Sequence, residues 1–237
     1  MYKNIILTIT LILIVSACAP QTPTEPPSII IEQPDQGSSN ADGELSPIEY
    51  VVVDQLAGNL GLNINNIKVV ENKSNEFGDS CLGVAMQDVM CAQVITSGHI
   101  IVLEANGIQY EYHTNDDGSR IQPATLALTW NRDGGFAGFC DSLTIFLSGE
   151  IYGNQCKTQD GHMATFASLL TSSQRSDFDT WIVEYGQVTL DASDPKGVAD
   201  GMSLVLEFYG IGKGKPGKPI QQEIFTWSQE LFQKLYE

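Results

Sequence analysis

The sequence predicts an α+β protein: two small domains, each an antiparallel sheet packed with one or two helices, carried behind an export signal and a flexible tether. Three observations lead there. Ser46-Pro47-Ile48-Glu49 opens a helix with complete punctuation, and Asn106-Gly107 marks a tight hairpin between two alternating strands. After Pro123 the pattern restarts with a second hairpin and two amphipathic helices. The expected divisions are 1–17 (signal), 18–46 (tether), 47–122 (a helix with a β-meander) and 123–237 (a second α+β domain).

The N-terminus sets the compartment. Lys3 precedes Ile5–Val15, an apolar run of eleven residues. That is too short for a membrane span, which needs about 20, and has the layout of an export signal. The run ends Val15-Ser16-Ala17-Cys18, which resembles the bacterial lipoprotein lipobox. The resemblance implies cleavage before Cys18 and acylation of its thiol and new amino group. The expectation is therefore a lipid-anchored protein on the extracytoplasmic face of the cell membrane or outer membrane. Residues 19–46 contain no Lys or Arg and are rich in Pro, Ser, Gln and acids. Such a composition cannot bury enough apolar surface to order itself. It reads as a tether reaching about 30 Å r.m.s..

With 29 acidic against 12 basic side chains the chain carries a net charge of −17, and loss of Lys3 with the signal makes it more acidic still. This excludes nucleic acid as a partner, because phosphate binding needs basic surface. It also excludes polybasic attachment to lipid, and it favours a monomer. Four cysteines remain beyond Cys18, and in an exported chain they are disulfide candidates. Cys81 and Cys91 bracket a short loop, and Cys140 and Cys156 face each other across the open end of a hairpin, so these are the expected pairs. Closing loops of this size stabilises by about 2–3 kcal/mol each.

In the first domain Val53, Leu56 and Leu60 form one helix face and Gly61 is the stop. Strands are expected at Ile67–Glu71 and Ala92–Thr96, followed by the hairpin "HIIVLEANGIQYEYHT". Its turn sets Ala105 opposite Ile108, Leu103 opposite Tyr110 and Ile101 opposite Tyr112 on an apolar face; Glu104, Glu111 and His113 fall on the other. The stretch from Gly78 to Ser119, with Asp-Ser-Cys-Leu-Gly, Cys-Ala-Gln-Val-Ile-Thr and a closing Tyr-x-Tyr-His-Thr, resembles a module recurrent in exported bacterial proteins. That resemblance implies a fold and no activity.

In the second domain a strand is expected at Thr125–Trp130, a turn at "NRDGG", and a hairpin of Ser142–Leu147 with Glu150–Gln155. Phe178, Trp181, Ile182 and Tyr185 share a helix face; Met202, Leu204, Leu206 and Phe208 alternate as a strand. Ile220, Ile224, Trp227, Leu231 and Leu235 mark a last helix. The run "GIGKGKPGKP" at 210–219 reads as a mobile basic hairpin tip.

The stretch "RDGGFAG", Arg132–Gly138, carries the functional question. Asp133-Gly134-Gly135 supplies left-handed positions for a tight turn, and Gly138 a bulge or a close backbone approach. Two readings of Phe136 stand: the ring tucks into the core, or it is presented on a thin, glycine-flanked edge with Arg132 as a companion anchor. With the strand before it and the edge strand, helix and closing elements after it, residues 124–237 resemble emfourin, a small bacterial inhibitor of thermolysin-like metalloproteases. The resemblance implies a secreted metalloprotease as partner, contacted through Arg132, Gly134, Gly135 and Phe136. The Cys140–Cys156 pair and the 210–219 run depart from the family and bear on partner specificity. The other class of function is a non-inhibitory cell-envelope lipoprotein that binds a ligand or assembles with partners.

No enzyme is expected. There is no His-Glu-x-x-His, no Gly-x-Ser-x-Gly and no phosphate-binding loop. His99 and His113 fall on opposite faces of one hairpin and His162 in a polar loop, so no metal and no cofactor is expected.

Overall fold

The computed structural model of the chain describes residues 44–84, 89–156 and 163–236. The signal, the tether up to residue 43 with Cys18, and His162 lie outside them. The first element is helix α1 (Pro47–Leu60). Ser46 caps it: its hydroxyl accepts from the Glu49 N–H, and the Glu49 carboxylate accepts from the Ser46 N–H. Such reciprocal caps hold a helix end by about 1 kcal/mol each.

Strands β1 (Ile67–Phe77), β2 (Thr96–Ala105), β3 (Ile108–Asn115) and β4 (Ile121–Pro123) then form an antiparallel sheet in that order. The expected register holds: Ala105 pairs with Ile108, Leu103 with Tyr110 and Ile101 with Tyr112. Ile108 is half-buried, and the other five side chains are buried together with Val52, Val53 and Leu56 of α1. Each such apolar side chain withdrawn from water contributes about 1.5–3 kcal/mol before the entropy of ordering it.

The second sheet has six strands: β5 (Leu126–Gly134), β6 (Phe139–Phe146), β7 (Glu150–Gln155), β8 (Ala164–Leu169), β9 (Val188–Asp191) and β10 (Met202–Phe208). Their spatial order is β8-β7-β6-β5-β10-β9, antiparallel throughout. One face carries Leu128, Trp130, Leu143, Ile145, Leu206 and Phe208. Helices α2 (Ser172–Glu184) and α3 (Lys218–Lys234) complete the fold. Trp130 meets Phe232 of α3 at 5.0 Å between ring centroids, and Trp227 of α3 stands edge-on to Trp181 of α2 at 5.5 Å.

The boundary expected near Gln122-Pro123 falls between the two sheets, which share no ladder. Their buried side chains nonetheless form one continuous cluster, from Val52 on α1 to Phe232 on α3, and all described residues belong to one compact unit, Gly37–Glu237. Backbone joins the sheets as well: the Glu111 N–H donates to Thr125 Oγ1 (2.9 Å) and the Ala124 N–H to the Glu111 carbonyl (2.8 Å).

Four local expectations are corrected. Ala92–Ile95 is not a strand, because Ala92 is tied to Ser80 through the Ser80 N–H and Oγ beside the Cys81–Cys91 link, which leaves Val94 and Ile95 exposed. The turn in "NRDGGFAG" lies beyond the expected "NRDGG": Asn131, Arg132, Asp133 and Gly134 still pair on β5, and residues 135–138 form the loop. Gly138 closes that loop, donating to the Gly135 carbonyl at 2.9 Å, and makes no bulge. Finally, residues 210–217 are no hairpin tip. They run as a strap over the C-terminal end of α2, with the Ile211 and Gly212 N–H groups on the Ile182 carbonyl and the Gly214 N–H on that of Glu184. A Cβ at Gly212 would lie 2.3 Å from the Glu184 backbone, so this glycine is there for close approach.

Candidate functional site

The β5–β6 hairpin ends in the loop Gly135-Phe136-Ala137-Gly138, and Phe136 at its tip is 96% exposed. Between the two readings of this ring, the core is excluded. The backbone explains why four residues suffice. Gly134, Gly135 and Gly138 all have φ between +63° and +81°, a region costly for residues with a Cβ. At Gly134 a Cβ would also lie 2.8 Å from the Gly201 carbonyl oxygen.

The loop is narrow but not loose. The Gly135 N–H donates to the Gly201 carbonyl (3.2 Å), which ties the tip to the β9–β10 connection. That connection is itself closed by Asp194, whose carboxylate accepts from the Met202 N–H and whose N–H donates to the Met202 carbonyl, both at 2.8 Å. Below the tip, Cys140 is bonded to Cys156 with their Cα atoms 5.4 Å apart, joining β6 to the end of β7. The other expected link, Cys81–Cys91, is also present, at 5.5 Å.

Arg132 does not project as a second anchor. Its Nε donates to Asp141 Oδ2 at 2.9 Å and an Nη shares the same oxygen, on a carboxylate whose side chain is 3% exposed. The guanidinium also lies 3.9 Å from the centroid of the Phe139 ring. A charge-assisted fork stacked on an aromatic face is among the stiffer side-chain arrangements available. Arg132 is thus the brace of the hairpin and Phe136 its free end, with Gly134 and Gly135 shaping the step between them.

The opposite end of β6 and β7 holds an arrangement with no local sequence signal. Glu150 is buried, and its Oε1 accepts from Gln55 Nε2 (3.2 Å) and Asn59 Nδ2 (2.5 Å) of α1 and from the Tyr112 hydroxyl (3.2 Å) of β3. The Ser148 hydroxyl donates to its other oxygen. Arg175 of α2 donates to the carbonyls of Ser148 (2.9 Å) and Leu147 (3.2 Å) in the same turn. Burial, with Glu150 beside it, pushes the Tyr112 hydroxyl well above its usual range, so it remains a donor at any physiological pH. Four donors on one carboxylate satisfy a charge that would otherwise be prohibitive to bury. They also couple α1 and the first sheet to the second.

The histidines lie on opposite faces, as the register requires, but neither is a plain surface residue. His99 Nδ1 is 2.9 Å from Asn72 Oδ1. His113 bridges the Leu82 carbonyl (2.6 Å) and Glu111 Oε1 (2.9 Å) and stacks on Phe77. Asp79 approaches the Cys81–Cys91 sulfurs, but its carboxylate accepts from the Cys81 and Gly83 N–H groups, and both sulfurs are in the disulfide. The two disulfides fit an extracytoplasmic protein. Among the described residues no helix is long and apolar enough to cross a membrane.

Comparison with known proteins adds one match. Residues 50–123, from α1 to the end of β4, match the model of a family described as a domain of unknown function (DUF8738). No curated protein and no solved structure matches the chain.

Proposed function

We propose that this protein is a lipid-anchored extracytoplasmic inhibitor of thermolysin-like metalloproteases, with the Phe136 loop as the element that enters the protease cleft. One observation carries the reading: a phenylalanine almost wholly in water, on a four-residue loop tied by a hydrogen bond to Gly201 and braced below by Arg132 and Asp141. Large aromatics dominate the energetics of many interfaces. A preorganised loop binds without a large ordering cost. The resemblance of Arg132–Gly138 to the emfourin stretch names the class of partner. In this reading the acylated Cys18 holds the domain near the membrane, where it guards the cell envelope against secreted proteases.

The test is a pair of measurements on one variant. Phe136→Ala is expected to weaken inhibition of a thermolysin-like protease by about 30-fold, the scale of an interface hot spot, with the thermal midpoint unchanged within about 2 °C. Wild-type protein that inhibits none of a panel of such proteases, or a variant that inhibits as well as wild type, overturns the reading. For the anchor, Cys18→Ser is expected to leave the protein uncleaved or released from membranes on fractionation. A correctly cleaved variant that stays with the membrane removes lipidation from the reading.

A further inference from the structure

Two buried polar atoms of the second sheet lack a partner among the described residues, Trp130 Nε1 and Asn154 Oδ1, and Asn154 borders a cavity. Asn154 on β7 is 2% exposed, and its side-chain oxygen accepts no hydrogen bond. A buried acceptor left without a donor costs about 1–3 kcal/mol, and native chains keep few of them. The cavity has a volume of about 290 Å³. The register explains what surrounds it. Ser142 on β6 and Thr165 on β8 pair with Asn154 from its two sides, and Thr144 pairs with Tyr152. Strand alternation sets all five on the face opposite Leu143 and Trp130, away from α3. Val89, two residues before the Cys81–Cys91 link, forms the overhanging wall.

No charged side chain is among the described residues lining this cavity. Against these described residues an ionised ligand would be desolvated without a counter-charge, and an apolar ligand would leave the Asn154 oxygen as it is. The site asks for a neutral molecule with several donors and acceptors at close spacing. Its size is at the lower end for ligand sites, enough for one small ring. It opens on a sheet face, whereas a peptide adding a strand needs a sheet edge. Burial, then the nearby Glu150, raises the pKa of the Tyr152 hydroxyl, so that wall stays neutral too.

We propose that this cavity is a binding site for one neutral pyranose unit of a glycan, with the Asn154 side-chain oxygen accepting from a sugar hydroxyl or N-acetyl N–H and Ser142, Thr144 and Thr165 ranged around the ring. The site is independent of the Phe136 loop and of any protease.

Saturation-transfer NMR and titration of the full chain with glucose, galactose, mannose, N-acetylglucosamine and their neutral oligomers test it. At least one sugar is expected to bind saturably in the millimolar range. Asn154→Leu, which keeps the branched shape and removes the acceptor, is expected to weaken that binding about tenfold or more, since polar sites discriminate strongly against a lost partner. Phe136→Ala should leave it unchanged. If Asn154→Leu fails to fold, Thr165→Val on the exposed strand β8 takes its place, with weakening of about threefold expected from one hydroxyl. Absence of saturable binding by every sugar, binding that the substitution does not weaken, or a crystal grown in excess sugar with only water on Asn154 overturns the proposal.

Discussion

The two ends of the β6–β7 pair break the usual rule of burial in opposite directions. At one end a carboxylate, Glu150, is buried; at the other a phenylalanine, Phe136, stands in water. The first is tolerated because four donors converge on it from α1, β3 and its own turn. The second is tolerated because nothing in the fold depends on it. An anomalous residue with many partners is a structural joint, while one with none is a candidate for contact with something outside the molecule.

The strongest way to break the comparison is to remove everything the joint holds. Residues 124–237 made alone lose the α1 and β3 donors to Glu150 and the first-sheet half of the shared core. The fragment is expected to lack a cooperative thermal transition in calorimetry. A sharp transition would establish two independent domains and demote the joint to a surface contact. Next in size is Glu150→Leu, which leaves Gln55, Asn59 and Tyr112 facing an apolar side chain. The expected loss is about 3 kcal/mol, from buried donors left without an acceptor, read by denaturant unfolding. A loss under about 1 kcal/mol would show that the network relaxes onto water.

Arg132→Ala sharpens the other end. It strands Asp141, whose side chain is 3% exposed, so stability is expected to fall by about 2 kcal/mol. Inhibition should weaken less than in Phe136→Ala, because the tip is loosened but keeps its ring. Unchanged stability with inhibition abolished would make Arg132 the contact residue and reverse the assignment of brace and tip.

Much of this fold was legible in the sequence because local chemistry decides it. The Ser46/Glu49 cap, the Asn106-Gly107 hairpin with its register, and both cysteine pairs are settled by residues near one another in the chain. What was not legible depends on distant neighbours. Strands β8 and β9 have weak alternation of their own and exist because β7 and β10 offer them an edge. The glycines of 210–214 look like flexibility when read alone, and their real cause, the backbone of α2, lies about 30 residues earlier. Glu150 sits in "SGEIYGN" with nothing to distinguish it from a solvated acid; three of its four partners come from 38 to 95 residues away. Phe136 lay between these cases, since the glycines announced a turn but not which way the ring would face.

The strap over α2 also says how this molecule can come apart. A helix normally frays from its C-terminus, because the last carbonyls have only water to replace. Here the Ile182, Glu184 and Tyr185 carbonyls are held by amides of Ile211, Gly212 and Gly214, on a segment that leads directly into α3. Fraying at that end of α2 therefore requires lifting the strap, and lifting the strap pulls on the first turn of α3. The two helices are thereby joined into one opening unit. Their amides should exchange with solvent at a common rate, instead of grading from end to middle as in helices with free ends.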